Sequence, residues 1–531
     1  MFRKFQYMKK IYFPFVLMSF IFNFSFGQVT FQKTYGGANG EAAFSVQQTN
    51  DGGYIILGTT YSFGNLGAEI YLIKTNYTGD TSWVKTFGTT GTDAPHSVQQ
   101  TTDGGYIIAG ETFSFPANNW DIYLLKTDFN GNLLWSKKFG GPADDYANSI
   151  QQTHDKGYII AGSTNSFGAD SSDAYLIKTD SSGTLLWSKT FGGPNYDNAN
   201  SVAQTTDRGY IMVGNTYSFS PGHLPDIYLI RTDSTGTLVW SKTYGGTNND
   251  FANAIQQTND GGFIFVGNTI SFMAGGMYLI KTDNAGNLVT SKMLGASFYD
   301  DGFSVQQTND NGYILLGQTN DFGSGFDIYL IKTDSTLAPT WSKIFGGPND
   351  ELGYSLQQTN DHGYILAGTT YSYGFGDADI YVIKTDSLGN SFCHDSSVTT
   401  PVITPATQVS SPATIVSAPT TITTAVTTIK SYGGIITSLC FVSGINQTFT
   451  NNSFSLFPNP ASSKITIDAS AIPQSETTTI SITNNLGEVM RTEKRSWKNE
   501  LTLDVRNLSA GMYFVTLQTT SGIWQQKCSK Y

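Results

Sequence analysis

Seven acidic residues recur at nearly even intervals: Glu41, Asp93, Asp145, Asp197, Asp250, Asp300 and Glu351. Each stands four residues before Ser45, Ser97, Ser149, Ser201, Ala254, Ser304 or Ser355, which open short apolar runs. Carboxylates gathered on one rim would attract a cation or raise one another's pKa values. Their structural alternative is to accept backbone N–H bonds and close a loop. A second set is aromatic: Phe63, Phe115, Phe167, Phe219, Phe272, Phe322 and Tyr373, with Trp120 near Phe115. Exposed rings can stack on a sugar or grip an apolar partner, whereas rings at a fixed repeat position usually pack the repeat itself. These two sets are the ligand-binding candidates, and their regularity favours the structural reading of both.

Other repeated polar residues read as framework. Lys74, Lys126, Lys178, Arg231, Lys281, Lys332 and Lys384 each precede a Thr, and Asp51, Asp103, Asp155, Asp207, Asp260, Asp310 and Asp361 each open a turn. A catalytic site usually breaks the symmetry of a repeat, and no catalytic motif does so here. The five histidines (His96, His154, His223, His362 and His394) are scattered and form no HExxH or HxH. There is no GxSxG, P-loop or EF-hand loop. No cofactor, metal or catalytic residue is assigned.

The elements that carry these residues follow from one period. The aromatic of the GYI-type triplet falls at Tyr54, Tyr106, Tyr158, Tyr210, Phe263, Tyr313 and Tyr364, in steps of 52, 52, 52, 53, 50 and 51 residues. A fixed period near 50 marks a propeller or a solenoid. Each copy holds four short β-type runs, which in the fourth are 201–205, 209–216, 226–232 and 237–244. Asp and Gly punctuate the first and third turns, where a tight hairpin needs a positive φ and a self-bonding side chain. Four antiparallel strands make one blade, which cannot bury both faces alone. Residues 29–37 match a fourth strand, and the fourth strand of the last copy is weak. The expected fold is therefore all-β: a seven-bladed β-propeller over residues 28–393, its N-terminal strand closing the last blade, plus a small C-terminal β-sandwich. The alternative is a β-solenoid. The short first and third turns share one face of such a ring, and the variable second-to-third loops share the other.

The element D-x-x-G-x-x-x-W recurs at Asp128/Gly131/Trp135, Asp180/Gly183/Trp187 and Asp233/Gly236/Trp240. It resembles the tryptophan-docking motif of quinoprotein-like propellers. The resemblance implies a large indole wedged between blades. Thr290 replaces the Trp in the fifth copy, and the element reads as stretched at Trp341. A quinone-dependent activity finds no support, because the cysteine pair and eight-blade count of such enzymes are missing.

The flanks give an address. Arg3, Lys4, Lys9 and Lys10 precede an apolar run at 11–26, with Ser25 and Gly27 before a cut at Gln28. That is a secretory signal peptide over residues 1–27. No later segment is long and apolar enough for a transmembrane helix. Residues 394–453 form a Ser/Thr/Pro-rich linker, extended in character, whose Thr/Val alternation also suits a sheet edge. Cys393 and Cys440 flank it, and a disulfide between them would close a 46-residue loop, contributing about 4 kcal/mol by loop entropy. Cys528 is left over.

Residues 454–531 alternate as short strands around Pro458-Asn459-Pro460, Asn485-Leu486-Gly487, Leu508-Ser509-Ala510-Gly511-Met512-Tyr513 and the closing Lys527 and Lys530. This segment resembles the type A C-terminal sorting domain of the type IX secretion system of Gram-negative bacteria. The resemblance implies export, the type IX machinery as partner, and release or attachment at the outer-membrane surface. A net charge of −11 disfavours nucleic acid as a partner. The expected function is a secreted or cell-surface binding and adhesion scaffold for a glycan or protein ligand. The alternatives are a secreted carbohydrate-active enzyme, glycosidase or lyase, and a structural surface component with no specific ligand.

Overall fold

The computed structural model describes residues 28–443 and 455–531 apart from loop positions, among them 65–66, 115–117, 418–421, 469–477, 485–488 and 510. Residues 1–27, where a signal peptide is expected, and Phe115, Asn485-Leu486-Gly487 and Ala510 lie outside the described residues. Two compact units result, 28–443 and a C-terminal unit from 444 onward.

The larger unit is β-propeller-like and contains seven antiparallel sheets of five strands each. Four strands of each sheet come from one repeat. The fourth sheet runs Ser201–Gln204, Tyr210–Thr216, Asp226–Thr232 and Leu238–Gly245. The second and third strands of this repeat are buried along their whole length. Both faces of the sheet must therefore be covered, which explains the nearly continuous apolar runs such as IYLI. Apolar clusters fill the space between successive sheets. Ile159, Ala161 and Leu176 of the third sheet pack on Tyr210, Met212 and Ile230 of the fourth.

The last sheet borrows its fourth strand from the start of the chain. Val29–Gly36 pairs antiparallel with Asp379–Thr385, bringing Phe31 opposite Lys384 and Tyr35 opposite Ile380. Phe31 then joins Ile365 and Val382 in one cluster with Tyr54 and Ile56 of the first sheet. Along the first strands, each sheet hydrogen-bonds to the one before it. Ser45 Oγ accepts from the Val98 amide (3.3 Å), Ser97 Oγ from Ile150 (3.3 Å) and Ser149 Oγ from Val202 (3.3 Å). Gln256 Oε1 accepts from Gln307 (2.6 Å), Gln306 Oε1 from Gln358 (2.7 Å), and Ser355 Oγ of the seventh sheet accepts from Val46 of the first (3.0 Å).

The fifth strand of every sheet comes from the Ser/Thr/Pro-rich segment, so these sheets have one strand more than the four read from the repeat. Asp395–Ser397 pairs with the sixth sheet, Val402–Ile403 with the fifth and Gln408–Ser410 with the fourth. Ile415–Ser417, Ile422–Thr423 and Thr428–Lys430 continue to the third, second and first. Ile435–Ser443 finishes on Val29–Gly36. The segment thus passes the repeats in reverse order and covers one outer edge of each, where unpaired strands would otherwise template aggregation. Side chains anchor it: Thr407 bonds Ser291 Oγ (2.8 Å) and the Tyr278 hydroxyl, and Lys292 Nζ donates to Thr404 (2.6 Å). Cys393 is disulfide-bonded, while Cys528 is a free, buried thiol.

The tryptophan motif docks as the resemblance implies. A Cβ on Gly131, Gly183 or Gly236 would lie within 2.8 Å of the indole of Trp83, Trp135 or Trp187 on the preceding sheet. Each of these glycines has positive φ. Phe31 takes the indole's place against Gly79. The element is not stretched at Trp341, since Asp334 precedes it by the usual seven residues. The departure is Leu337 in the glycine position, with φ of 68° and a fully buried side chain. It follows the sheet in which Thr290 replaces Trp, so a leucine fills space that the missing indole leaves.

The C-terminal unit has a three-stranded sheet, with Lys464–Asp468 between Ser455–Phe457 and Glu500–Asp504. A four-stranded sheet has Thr478–Asn484 and Gly511–Thr519 at its centre. Its core comprises Ile465, Ile467, Ile480, Ile482, Leu503, Val515 and Leu517, with Cys528 among them.

Candidate functional site

The seven repeated carboxylates sit at the starts of the first strands and are buried, none more than 2% exposed. Backbone amides cap them. The Gly37 amide donates to Glu41 (2.7 Å), Thr89 to Asp93 (2.7 Å), Gly141 to Asp145 (2.8 Å) and Gly193 to Asp197 (2.8 Å). Gly246 donates to Asp250 (2.7 Å) and Ser297 to Asp300 (3.0 Å). Hydroxyls complete the shell, with Thr60 on Glu41 (2.8 Å), Thr370 on Glu351 (2.8 Å) and Ser218 on Asp197 (2.6 Å). This geometry serves the inter-sheet loop rather than an open rim.

A second acid, which the sequence reading passed over, stands beside most of them. It stands at the start of the third strand of the preceding sheet, at Glu69, Asp173, Asp226, Asp327 and Asp379, and two residues in at Asp121. A Cβ on Gly140 would lie 2.0 Å from Asp121 and 2.8 Å from Asp145, so only glycine lets the two carboxylates flank the backbone. Lys138 offsets this pair, 2.5 Å from Asp121. Elsewhere the like charges show. Burial and then Asp250 push Asp226 up to about 7. Burial raises Asp93 to about 6, against the hydrogen bonds it accepts and with a contribution from Glu69. Burial, with Glu41, raises Asp379 to about 6.

The loop aromatics fold back on their own sheets. Phe63 lies 5.6 Å from Tyr71, Phe167 5.9 Å from Tyr175 and Phe219 5.6 Å from Tyr228, measured between ring centroids. Phe272, Phe322 and Tyr373 meet Tyr278, Tyr329 and Tyr381 in the same way. Phe322 remains 37% exposed, and Trp120 is half-buried against Phe113 at 5.3 Å. The framework pairs also form: Lys74–Asp51 (2.9 Å), Lys126–Asp103 (3.0 Å) and their counterparts through Lys384–Asp361 (2.9 Å).

Two open spaces among the described residues bear on the site. One, of about 520 Å³, lies among the variable loops and is lined by Gly325, Pro348, Asn349, Asp350, Tyr371 and Asp377. The other, of about 300 Å³, is lined by two successive residues from each of the seven first strands, from Val46-Gln47 to Leu356-Gln357. Six of the second residues are glutamine, and Ala203 takes the seventh place. Two residues before each apolar member of this lining, the repeats diverge: Phe44, His96, Asn148, Asn200, Asn253, Phe303 and Tyr354. No group of three or more His, Cys, Asp or Glu side chains suited to a metal occurs among the described residues. Among them, no helix is long and apolar enough to cross a membrane.

Residues 455–530 match the family described as secretion system C-terminal sorting domain. The chain therefore carries a type IX sorting tail, which marks it for secretion or attachment at the outer-membrane surface and for engagement by the secretion machinery. No curated protein matches the chain. Among solved structures, the chain is similar to Sqt1 of Chaetomium thermophilum, at 10% identity and a TM-score of 0.41, covering 69% of this chain and 87% of that one. Sqt1 bound to the N-terminus of ribosomal protein L10 scores 0.39 at 11% identity, covering 67% and 87%. A eukaryotic initiation factor scores 0.31 at 8% identity, covering 72% and 98%.

Proposed function

We propose that the seven sheets close into a seven-bladed propeller and that the exported chain serves as a binding and adhesion scaffold. One observation carries this reading. The charged and aromatic residues that every repeat shares are spent on internal contacts, while the residues that differ between repeats gather in the loops and around the axial space. A rigid frame with variable loops is the usual arrangement of a binding protein. A disulfide between Cys393 and Cys440 would hold both ends of the edge-covering segment. The second reading, a carbohydrate-active enzyme, draws on Asp350 and Asp377 in one open space beside Tyr371, since two carboxylates flanking a glycosidic bond are the tools of such hydrolysis.

The test incubates the mature chain with soluble and insoluble polysaccharides and with matrix proteins. Saturable retention without release of new reducing ends is expected. Release of reducing ends would establish the enzyme reading, and absence of all retention would leave a structural component.

A further inference from the structure

The axial wall of the repeat unit is not seven-fold symmetric. At one level of the first strands, Phe303, Tyr354, Phe44 and His96 follow one another on the sixth, seventh, first and second sheets. Their centroids lie 5.3 Å apart from Phe303 to Tyr354, 5.7 Å from Tyr354 to Phe44 and 5.9 Å from Phe44 to His96. The remaining three sheets carry asparagine at that level. Asn148 Nδ2 donates to the Ala199 carbonyl (2.9 Å), Asn200 to Ala252 (2.8 Å) and Asn253 to Gly302 (2.9 Å). Each amide commits its donor to the wall and leaves its oxygen as an acceptor, apart from a long 3.4 Å contact from Asn148 to Asn200 Oδ1. All seven side chains are half-buried.

Nothing in blade packing requires this division. The two residues that follow along the strand, such as Ser45 and Val46, keep their type from repeat to repeat almost without change. The first strands carry no Lys or Arg, so an anion would find no counter-charge. Beside Phe44 and His96 stand Ala42 and Ala94, beside Phe303 and Tyr354 stand Asp301 and Leu352, and the asparagine side carries Tyr146, Asn198 and Phe251 at the matching positions. The two alanines leave room over the Phe44–His96 end of the aromatic arc. At its end, Glu111 Oε1 lies 2.8 Å from His96 Nε2. Glu111 is 7% exposed, and its Oε2 has no hydrogen-bond partner among the described residues. A buried carboxylate oxygen without a donor is costly, so the His96 contact is what holds this carboxylate at the end of the arc.

We propose that this wall binds a neutral pyranose ring, its C–H face on the aromatic arc and its hydroxyls toward the asparagine oxygens. The proposal rests on the binding-scaffold reading and moves its site from the loops to the axis. Aromatic faces complement apolar ring faces, and a few fixed polar groups set orientation, the usual composition of a small-ligand site.

Calorimetric titration of the mature chain with the methyl pyranosides of glucose, galactose and mannose tests it, with glucose 6-phosphate as the charged comparison. At least one neutral pyranoside is expected to bind with a Kd of order 1 mM, and Tyr354→Ala to weaken it at least roughly tenfold. Asn200→Ala is expected to weaken it similarly, Tyr354→Phe to keep it, and Phe322→Ala on the loops to leave it unchanged. Thermal unfolding of each variant separates lost binding from lost folding, and Asn253→Ala replaces any variant that fails to fold. No pyranoside binding at about 20 mM, or binding indifferent to both Tyr354→Ala and Asn200→Ala, overturns the proposal. Polysaccharide retention that persists in Tyr354→Ala but not in Phe322→Ala would sink this site and spare the scaffold. Loss of all retention by the unaltered chain would sink both.

Discussion

Replacing Leu337 with glycine should destabilise the repeat unit alone and stabilise it beside a tryptophan at 290. Five seams pair an indole with a glycine: Trp83 with Gly131, Trp135 with Gly183, Trp187 with Gly236, Trp240 with Gly286 and Trp341 with Gly389. The fifth-to-sixth seam pairs Thr290 with a buried leucine held at positive φ. Removing a buried leucine costs about 2–5 kcal/mol. Relief of the left-handed backbone returns about 1–2 kcal/mol, so Leu337→Gly should cost a net ~1–3 kcal/mol. Thr290→Trp alone drives an indole into the leucine, an overpacking cost of about 1–3 kcal/mol. The double variant recreates the arrangement of the other five seams and should fall within about 1 kcal/mol of the parent. The coupling energy is then about 2 kcal/mol or more in favour of the pair. Guanidinium unfolding of the four proteins measures it. Additive losses, with the double variant worst of all, would refute the exchange of indole for leucine.

Four further outcomes follow from the same structure. Asp226 has a raised folded-state pKa, so its contribution to stability is intact below the unfolded-state value near 4 and is lost as pH rises to about 7; Asp226→Asn should flatten this loss and raise the neutral-pH stability by about 1–3 kcal/mol, read from unfolding midpoints at pH 5 and pH 8. Asp361→Ala strands the ammonium of Lys384, which is 1% exposed, and should cost about 3 kcal/mol, partly recovered at alkaline pH because burial already holds that ammonium below its usual range. Cys393→Ser should accelerate amide exchange across 395–443 while leaving the inner strands protected, and cost up to about 4 kcal/mol. Deleting 455–531 should retain the protein in the periplasm, checked by cell fractionation.

Much of this fold was legible because a repeat states its own alignment: seven GYI-type triplets placed the strands, and residues 29–37 announced a fourth strand without its sheet. The edge-covering segment was harder, since two- and three-residue strands carry no period-two signal. Its signal was present in another form: Thr400, Thr407, Thr414, Thr421 and Thr428 recur every seven residues, and Thr400 and Thr407 bond the tyrosine hydroxyls of two successive sheets, Tyr329 and Tyr278. The exchange of Thr290 for Leu337 was hidden because each departure looks like decay of a motif until the neighbouring sheet is known. The paired acids were missed because Asp121 and Asp145 lie 24 residues apart and meet only across a seam. The division of the axial wall lay in plain view at Phe44, His96, Asn148, Asn200, Asn253, Phe303 and Tyr354. A search for residues that every copy shares passes over the position where copies differ.

Hydrogen exchange at Val29–Gly36 tests the account where everything else depends on it, because the order of residues round the axis requires that strand to complete the seventh sheet. Lying between Asp379–Thr385 and Ile435–Ser443, its amides should be as protected as those of Tyr210–Thr216. Exchange of these amides at the rate of an unstructured peptide, while the remaining sheets stay protected, would contradict the closed ring.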